Sequence, residues 1–199
     1  AVPSAPLHVD ATRGNARVTV SWDAAGDDGG FPVTGYTATA SPGGATCDTD
    51  GDGRTCEITG LTNGTTYAIS VTATNTIGTS TPSTPTNSTP ITTPLVPREV
   101  GVVRGDGRLS VSWLAPSADG GNAVSGYVAT ASPGGKSCST AGGLTCEIAG
   151  LVNGTEYTVT VLASNAAGDG PASDPTSPLA PCAVPSAPLH VDATRGNAR

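Results

Sequence analysis

The sequence predicts an all-β chain of two related sandwiches, and three observations carry that prediction. Among its 199 residues are 27 Gly and 17 Pro, with only 4% aromatic, the balance of short strands joined by many turns. Apolar and polar residues alternate over short stretches, the period of a strand with one buried face. The chain also repeats itself. Trp22, Tyr36 and Cys47 recur as Trp113, Tyr127 and Cys138, and Cys56, Leu61, Tyr67, Asn75 and Gly78 recur as Cys146, Leu151, Tyr157, Asn165 and Gly168. Domains are therefore expected at residues 1–91 and 92–182, each of ordinary size.

The strands follow in order. Val18, Val20 and Trp22 alternate with Thr19 and Ser21, matched by Leu109, Val111 and Trp113. The runs AGDDGGFP and PSADGGNA are turn material, since Asp, Gly and Pro supply special backbone angles. Tyr36, Ala38 and Ala40 form the next strand, ending at the turn from Ser41 to Gly44, and another runs from Thr55 through Ile58. After the turn at Asn63 and Gly64, Tyr67, Ile69, Val71 and Ala73 alternate, as do Tyr157, Val159, Val161 and Ala163. Strands at this spacing read as a β-sandwich. The Pro-rich stretches 81–94 and 174–185 read as extended, semi-rigid linkers.

Residues 183–199 repeat residues 1–17 without a difference, whereas the second domain matches the same opening far less well. Three causes fit: a covalent array of near-identical two-domain units, an engineered duplication of the first strand, or a protomer whose tail fills the first-strand position of a neighbour. The array is favoured, and the lack of any Met is read the same way, as a slice of something longer. In the strand-addition alternative, residues 183–199 pair with the next protomer and bury Val191, the counterpart of Val9.

The motifs VTVSW and LSVSW, then GYTATA and GYVATA, then GLTNGTTYAISVTATNTIG and GLVNGTEYTVTVLASNAAG resemble the fibronectin type III family. The resemblance covers both domains and the start of a third. It implies tandem seven-stranded, immunoglobulin-like sandwiches. It also implies a tyrosine corner in each, in which Leu61 or Leu151 plugs one end and the hydroxyl of Tyr67 or Tyr157 bonds the backbone of its approach loop.

Five cysteines bear on the compartment. Cys47 with Cys56, and Cys138 with Cys146, recur as close pairs, which points to two local disulfides, each tightening a hairpin, and to an oxidising, extracytoplasmic location. Zinc is the rival, but the spacing is not CxxC and no His is near. Cys182 is left over, as a free thiol or a bridge between chains. Paired cysteines in SPGGATC and TCEI look like those of secreted bacterial members from GC-rich organisms, and Arg far outnumbers the single Lys136. Any export signal would lie outside the chain.

Net charge is −7, so no basic stripe awaits nucleic acid, and no apolar run is long enough to span a membrane. Asp48, Asp50 and Asp52 in DTDGDG resemble the start of a calcium loop, but the twelfth position is Thr59 rather than Glu, and a solvated acidic turn with no cofactor is the favoured reading. Calcium is the one cofactor the sequence raises. Arg104, Gly105 and Asp106 spell a tripeptide that can bind integrins, but Arg13, Gly14 and Asn15 hold the same place in the first domain, where a Gly-centred hairpin explains both. Asn63, Asn87 and Asn153 stand in sequons. His8, repeated as His190, lacks an evident nucleophile partner, and Asp27 and Asp28 lie in a Gly-rich turn unsuited to hold an acid and a base apart.

The expectation is a non-enzymatic structural or adhesive stalk, fibre or filament on a bacterial surface, its partners being neighbouring identical repeats or protomers. The alternative is a spacer or weak carbohydrate-binding module of a secreted polysaccharide-degrading enzyme.

Overall fold

The structure is a computed structural model in which residues 1–183 are described. Residues 184–199, on which the next-repeat and strand-addition expectations fall, lie outside the described residues. Among the described residues, fourteen strands and no helix make two sandwiches of like design. In the first, β1 (Leu7–Gly14), β2 (Arg17–Asp23) and β5 (Thr55–Thr59) form one antiparallel sheet in the order β1-β2-β5. Facing it, β4 (Ala45–Asp50), β3 (Gly35–Ser41), β6 (Tyr67–Thr74) and β7 (Thr86–Ser88) form the other, in the order β4-β3-β6-β7.

The second sandwich repeats this arrangement. Its three-stranded sheet is β12 (Thr145–Ala149), β9 (Arg108–Leu114) and β8 (Arg98–Gly105). Its four-stranded sheet is β11 (Ser137–Thr140), β10 (Gly126–Ser132), β13 (Thr158–Asn165) and β14 (Gly168–Asp169).

Strict alternation puts Val18, Val20 and Trp22 of β2 against Tyr36, Ala38 and Ala40 of β3 and Tyr67, Ile69, Val71 and Ala73 of β6, all buried. Trp22 and Tyr36 meet with ring centroids 5.7 Å apart, as Trp113 and Tyr127 do at 5.4 Å. The small Ala residues leave room for these rings between sheets that must sit about 10 Å apart. In the first sandwich the Arg54 guanidinium also covers the Tyr36 ring at 4.8 Å, a cation–π contact that Leu144 cannot make at the matching place.

Both disulfides depart from the hairpin expectation. Cys47 lies on β4 and Cys56 on β5, strands that belong to opposite sheets, so the bond clasps the two layers at an edge. Cys138 on β11 and Cys146 on β12 do the same. The chain changes sheet within the short connection, which spacing along the sequence does not reveal.

Within the described residues, most of each Pro-rich stretch is an edge segment of its own sandwich rather than a linker. Residues 79–91 run along the outer edge of β6, with Pro90 fully buried and Ser80, Ser83 and Ser88 buried. Proline cannot donate to a ladder, which confines such a segment to an edge. Serine hydroxyls complete the pairing instead. The Ser83 amide donates to the Val71 carbonyl while Ser83 Oγ accepts from the Val71 amide, and Ser80 pairs with Ala73 in the same way. Ser173 and Thr176 repeat the device against Val161 and Val159.

The turn between the first two strands is Asn15–Ala16, one position later than a Gly14-centred hairpin. Ala16 has φ +52°, in the left-handed region, where its counterpart in the second sandwich is Gly107 at φ +61°. A Cβ there costs about 1–2 kcal/mol, partly offset by the greater freedom glycine loses on folding. Ala16→Gly should therefore stabilise the first sandwich by about 0.5–1 kcal/mol, read as a higher first-domain melting temperature. A loss of stability would show that the Ala16 backbone is not held in this conformation.

Candidate functional site at the interdomain joint

The chain passes from one sandwich to the next without a spacer. The Ile91 amide donates to the Gly14 carbonyl of the first sandwich, and the next amide, that of Thr92, donates to the Gly120 carbonyl of the second. On the first side, the turn at Asn15–Ala16 is tied to the turn at Asn63: the Ala16 amide donates to Asn63 Oδ1, and Asn63 Nδ2 donates to Asn15 Oδ1. The Gly64 amide then donates to the Pro90 carbonyl. Two of the three sequon asparagines, Asn63 and Asn153, are engaged in this way, the second with Asp106 Oδ1. Asn87 lies on β7.

On the second side, one buried side chain organises the surface. Asn165 Nδ2 donates to the carbonyls of Thr92 and Asp119, while Asn165 Oδ1 accepts from the Ala167 amide. Asn75 makes the equivalent set with Ala1, Asp28, Ile77 and Gly78. Recurrence marks both asparagines in the sequence, but their role as a clamp on three distant segments emerges only in three dimensions. Asn165→Ala should cost the second sandwich about 1–3 kcal/mol, because buried backbone groups lose their partners. Faster exchange of the Thr92 amide, which donates to the Gly120 carbonyl, would accompany it, and unchanged exchange there would refute the clamp.

The sandwiches touch where Gly64 meets Gly121. A Cβ on Gly121 would come within 2.3 Å of the Gly64 nitrogen, and one on Gly64 within 3.0 Å of the Gly121 Cα. Both residues also have positive φ, so glycine is required twice over. Shallow grooves flank this contact. One is lined by Arg13, Asn15, Ile91, Thr93 and Ala167, the other by Thr62, Asn63, Leu95, Asp119 and Gly120.

The remaining sequence candidates fall elsewhere. Leu61 and Leu151 are buried, and the hydroxyls of Tyr67 and Tyr157 accept from the amides of Thr62 and Val152 at 3.0 and 3.2 Å. Asp48 and Asp50 lie on β4 and Asp52 in the turn beyond it. Asp48 Oδ1 accepts from Thr37 Oγ1 and Asp50 Oδ1 from the Asp52 and Gly53 amides, so these carboxylates are used one by one. No group of three metal-ligating side chains is gathered among the described residues. Arg104 and Gly105 end β8, where the Gly105 carbonyl accepts from the Cys182 amide. Cys182 is exposed and unpaired among the described residues.

His8 Nδ1 pairs with Asp23 Oδ2 at 2.8 Å on the surface, a contact that separation along the chain conceals. Ser83 lines the same groove as His8, but its hydroxyl is taken up by the Val71 amide and the Thr84 carbonyl. Burial raises Tyr127 above its ordinary pKa of 10.0. The unfolded tyrosine ionises first as pH rises, so the second sandwich should lose stability as pH climbs from about 10 through the folded-state value. A Tyr127→Phe chain would lack that component of the alkaline melting curve.

Comparison with known proteins adds relatives of several kinds. A Kelch domain-containing protein of Saccharolobus solfataricus is 28% identical over 130 residues, 63% of this chain and 17% of that protein. Chitinase A1 of Niallia circulans is 31% identical over 177 residues, 84% of this chain and 24% of that protein. The chain thus spans less than a quarter of the length of either. Among solved structures, the FN1–FN3 domains of chicken CNTN1 are 21% identical with a TM-score of 0.49, over 92% of this chain and 69% of that one. The fibronectin type III domain model matches residues 2–89 and 96–178, the two sandwiches described above, and the chain belongs to the fibronectin type III family.

Proposed function

We propose that the chain is a non-enzymatic structural module of an extended extracellular or cell-surface stalk or fibre, built of near-identical two-domain units. The observation that carries this reading is the return of residues 1–17 as residues 183–199 just after the second sandwich. Related domains in one chain drift apart, as these two have; identity over such a stretch fits units kept alike in an array. The spacer-free joint supports it, since a joint closed by backbone hydrogen bonds and a glycine contact limits bending between sandwiches. Two disulfides suit an oxidising exterior.

The similarity to chitinase A1 favours a second reading, a spacer within a secreted polysaccharide-degrading enzyme. A sugar-binding role would call for a platform of exposed aromatics. All Trp and Tyr side chains are buried, and Phe31, 43% exposed, is the single exposed aromatic.

Intact mass of the native protein under denaturing conditions, with and without reduction, separates these readings. A species many times 19.4 kDa that survives both treatments and digests only to this repeat supports the array. A mass that includes a hydrolase sequence supports the spacer. A mass of 19.4 kDa under both conditions refutes the covalent array.

A further inference from the structure

The two free ends of the described unit are complementary in the way the internal joint is. Superposing the repeats in sequence sets Gly154 opposite Gly64 and Gly30 opposite Gly121, the pair that touches across the joint. Gly154 and Gly30 keep the same positive φ of +80°, yet a Cβ added at either would meet nothing within 4 Å among the described residues. Ile91, buried at the joint, corresponds to the exposed Cys182, and the half-buried Asn63 to the exposed Asn153.

The free ends are also more apolar than the closed joint. Val152, 63% exposed, replaces Thr62. Ile77, 54% exposed, replaces Ala167, and Val2, 45% exposed, replaces Thr93. Val152 belongs to the end that carries Arg104, whereas Val2 and Ile77 sit together at the end that carries Asp27 and Asp28, Val2 lying against Gly78. Apolar side chains exposed singly are ordinary. Here they fall on the two faces that a head-to-tail repeat brings together, one carrying Arg104 and Asp106 and the other Asp27 and Asp28.

The register is built in as well. The Ala1 nitrogen donates to the Gly29 carbonyl, the place that the Thr92 peptide amide takes on Gly120. Ala183, the residue after Cys182, is Ala1 again. We propose that the far end of the second sandwich is a docking surface for the first sandwich of a following copy of this chain, joined through residue 182 in the geometry of the internal joint. Val152 then packs beside Asp27, Asp28 and Val2, Ile77 packs against the Arg104–Asp106 turn and Cys182, and Gly30 meets Gly154. The unit repeats by stacking, so the fibre has a single kind of step and a fixed bend. This rests on the array reading, but its test is separate: flexible units could be covalently linked without docking.

The test is a tandem polypeptide in which residue 182 is followed directly by a second complete chain, compared by NMR with the 199-residue protein. Docking should give Gly30, Ile77, Val152 and Gly154 two amide signals each, one where the single chain has it and one displaced, with all domains tumbling together. Undisplaced signals and independently tumbling halves would overturn the proposal. Val152→Asp, which places a carboxylate beside Asp27 and Asp28, and Ile77→Arg, which replaces an apolar contact on Cys182 and the Arg104–Asp106 segment with a longer charged side chain, should each abolish the displaced set. Both sites are exposed, so the melting temperature of the single chain carrying either substitution should hold. Displaced signals that persist in both variants would equally overturn this arrangement, whatever the mass of the native protein.

Discussion

Trp22→Ala should cost the first sandwich about 3–5 kcal/mol, a transfer term for the lost indole plus the cavity it leaves. The side chain is only 3% exposed and lies between the sheets against Tyr36, with Val18 and Val20 on its own strand. The same core includes Ala38, Ala40 and Ala73, which are too small to fill the space an indole leaves. For a domain of this size each kcal/mol moves the melting temperature by about 4–8 °C, so calorimetry should show one of two transitions fall by 12 °C or more while the other holds. Trp113→Ala should do the reverse.

Trp22→Phe sharpens the test. The indole N–H of Trp22 is buried with no acceptor among the described residues, so replacing it by a ring without a donor removes volume but no hydrogen bond. Its cost should be well below that of Ala. Equal losses from Phe and Ala would mean that the indole N–H is satisfied in solution, and an Ala cost under about 1 kcal/mol would deny Trp22 its place between the sheets.

The core was legible because burial of one face imposes a period of two, and β2, β3 and β6 keep it without interruption. The edges were not. Residues 79–91 carry proline where a ladder needs donors, so composition suggests a linker; what keeps them on the sheet is the use of Ser80 and Ser83 hydroxyls as surrogate acceptors, invisible to any periodicity. His8 and Glu99 hide another irregularity, since positive φ at each accompanies a register shift that breaks the expected alternation of the first strand in each sandwich. At the joint, the asparagines and glycines were visible as recurring residues. Their function depends on bringing residues 1, 28 and 75, or 92, 119 and 165, to one place. Sequence order carries no such information.

The cysteine pairs show the same limit, and they carry the second large expected effect. Removing Cys47–Cys56 by paired Ala substitutions should destabilise the first sandwich by about 2–4 kcal/mol, against a chain-entropy value of about 2.5–3 kcal/mol for so short a loop. Position adds to this. β4 and β5 are edge strands of different sheets, and no backbone hydrogen bond of a ladder joins them, so the disulfide is the covalent tie between the layers at that side. Without it the opening of that edge should become the easiest local motion of the sandwich. Amide exchange along Ala45–Asp50 should rise more than exchange in β6, which stays paired on both sides. The first sandwich alone should respond to this substitution, and the second to the loss of Cys138–Cys146. A uniform rise in exchange across both sheets would instead mean that the bond acts only through the unfolded chain, and the clasp would then have no role in holding the edge shut.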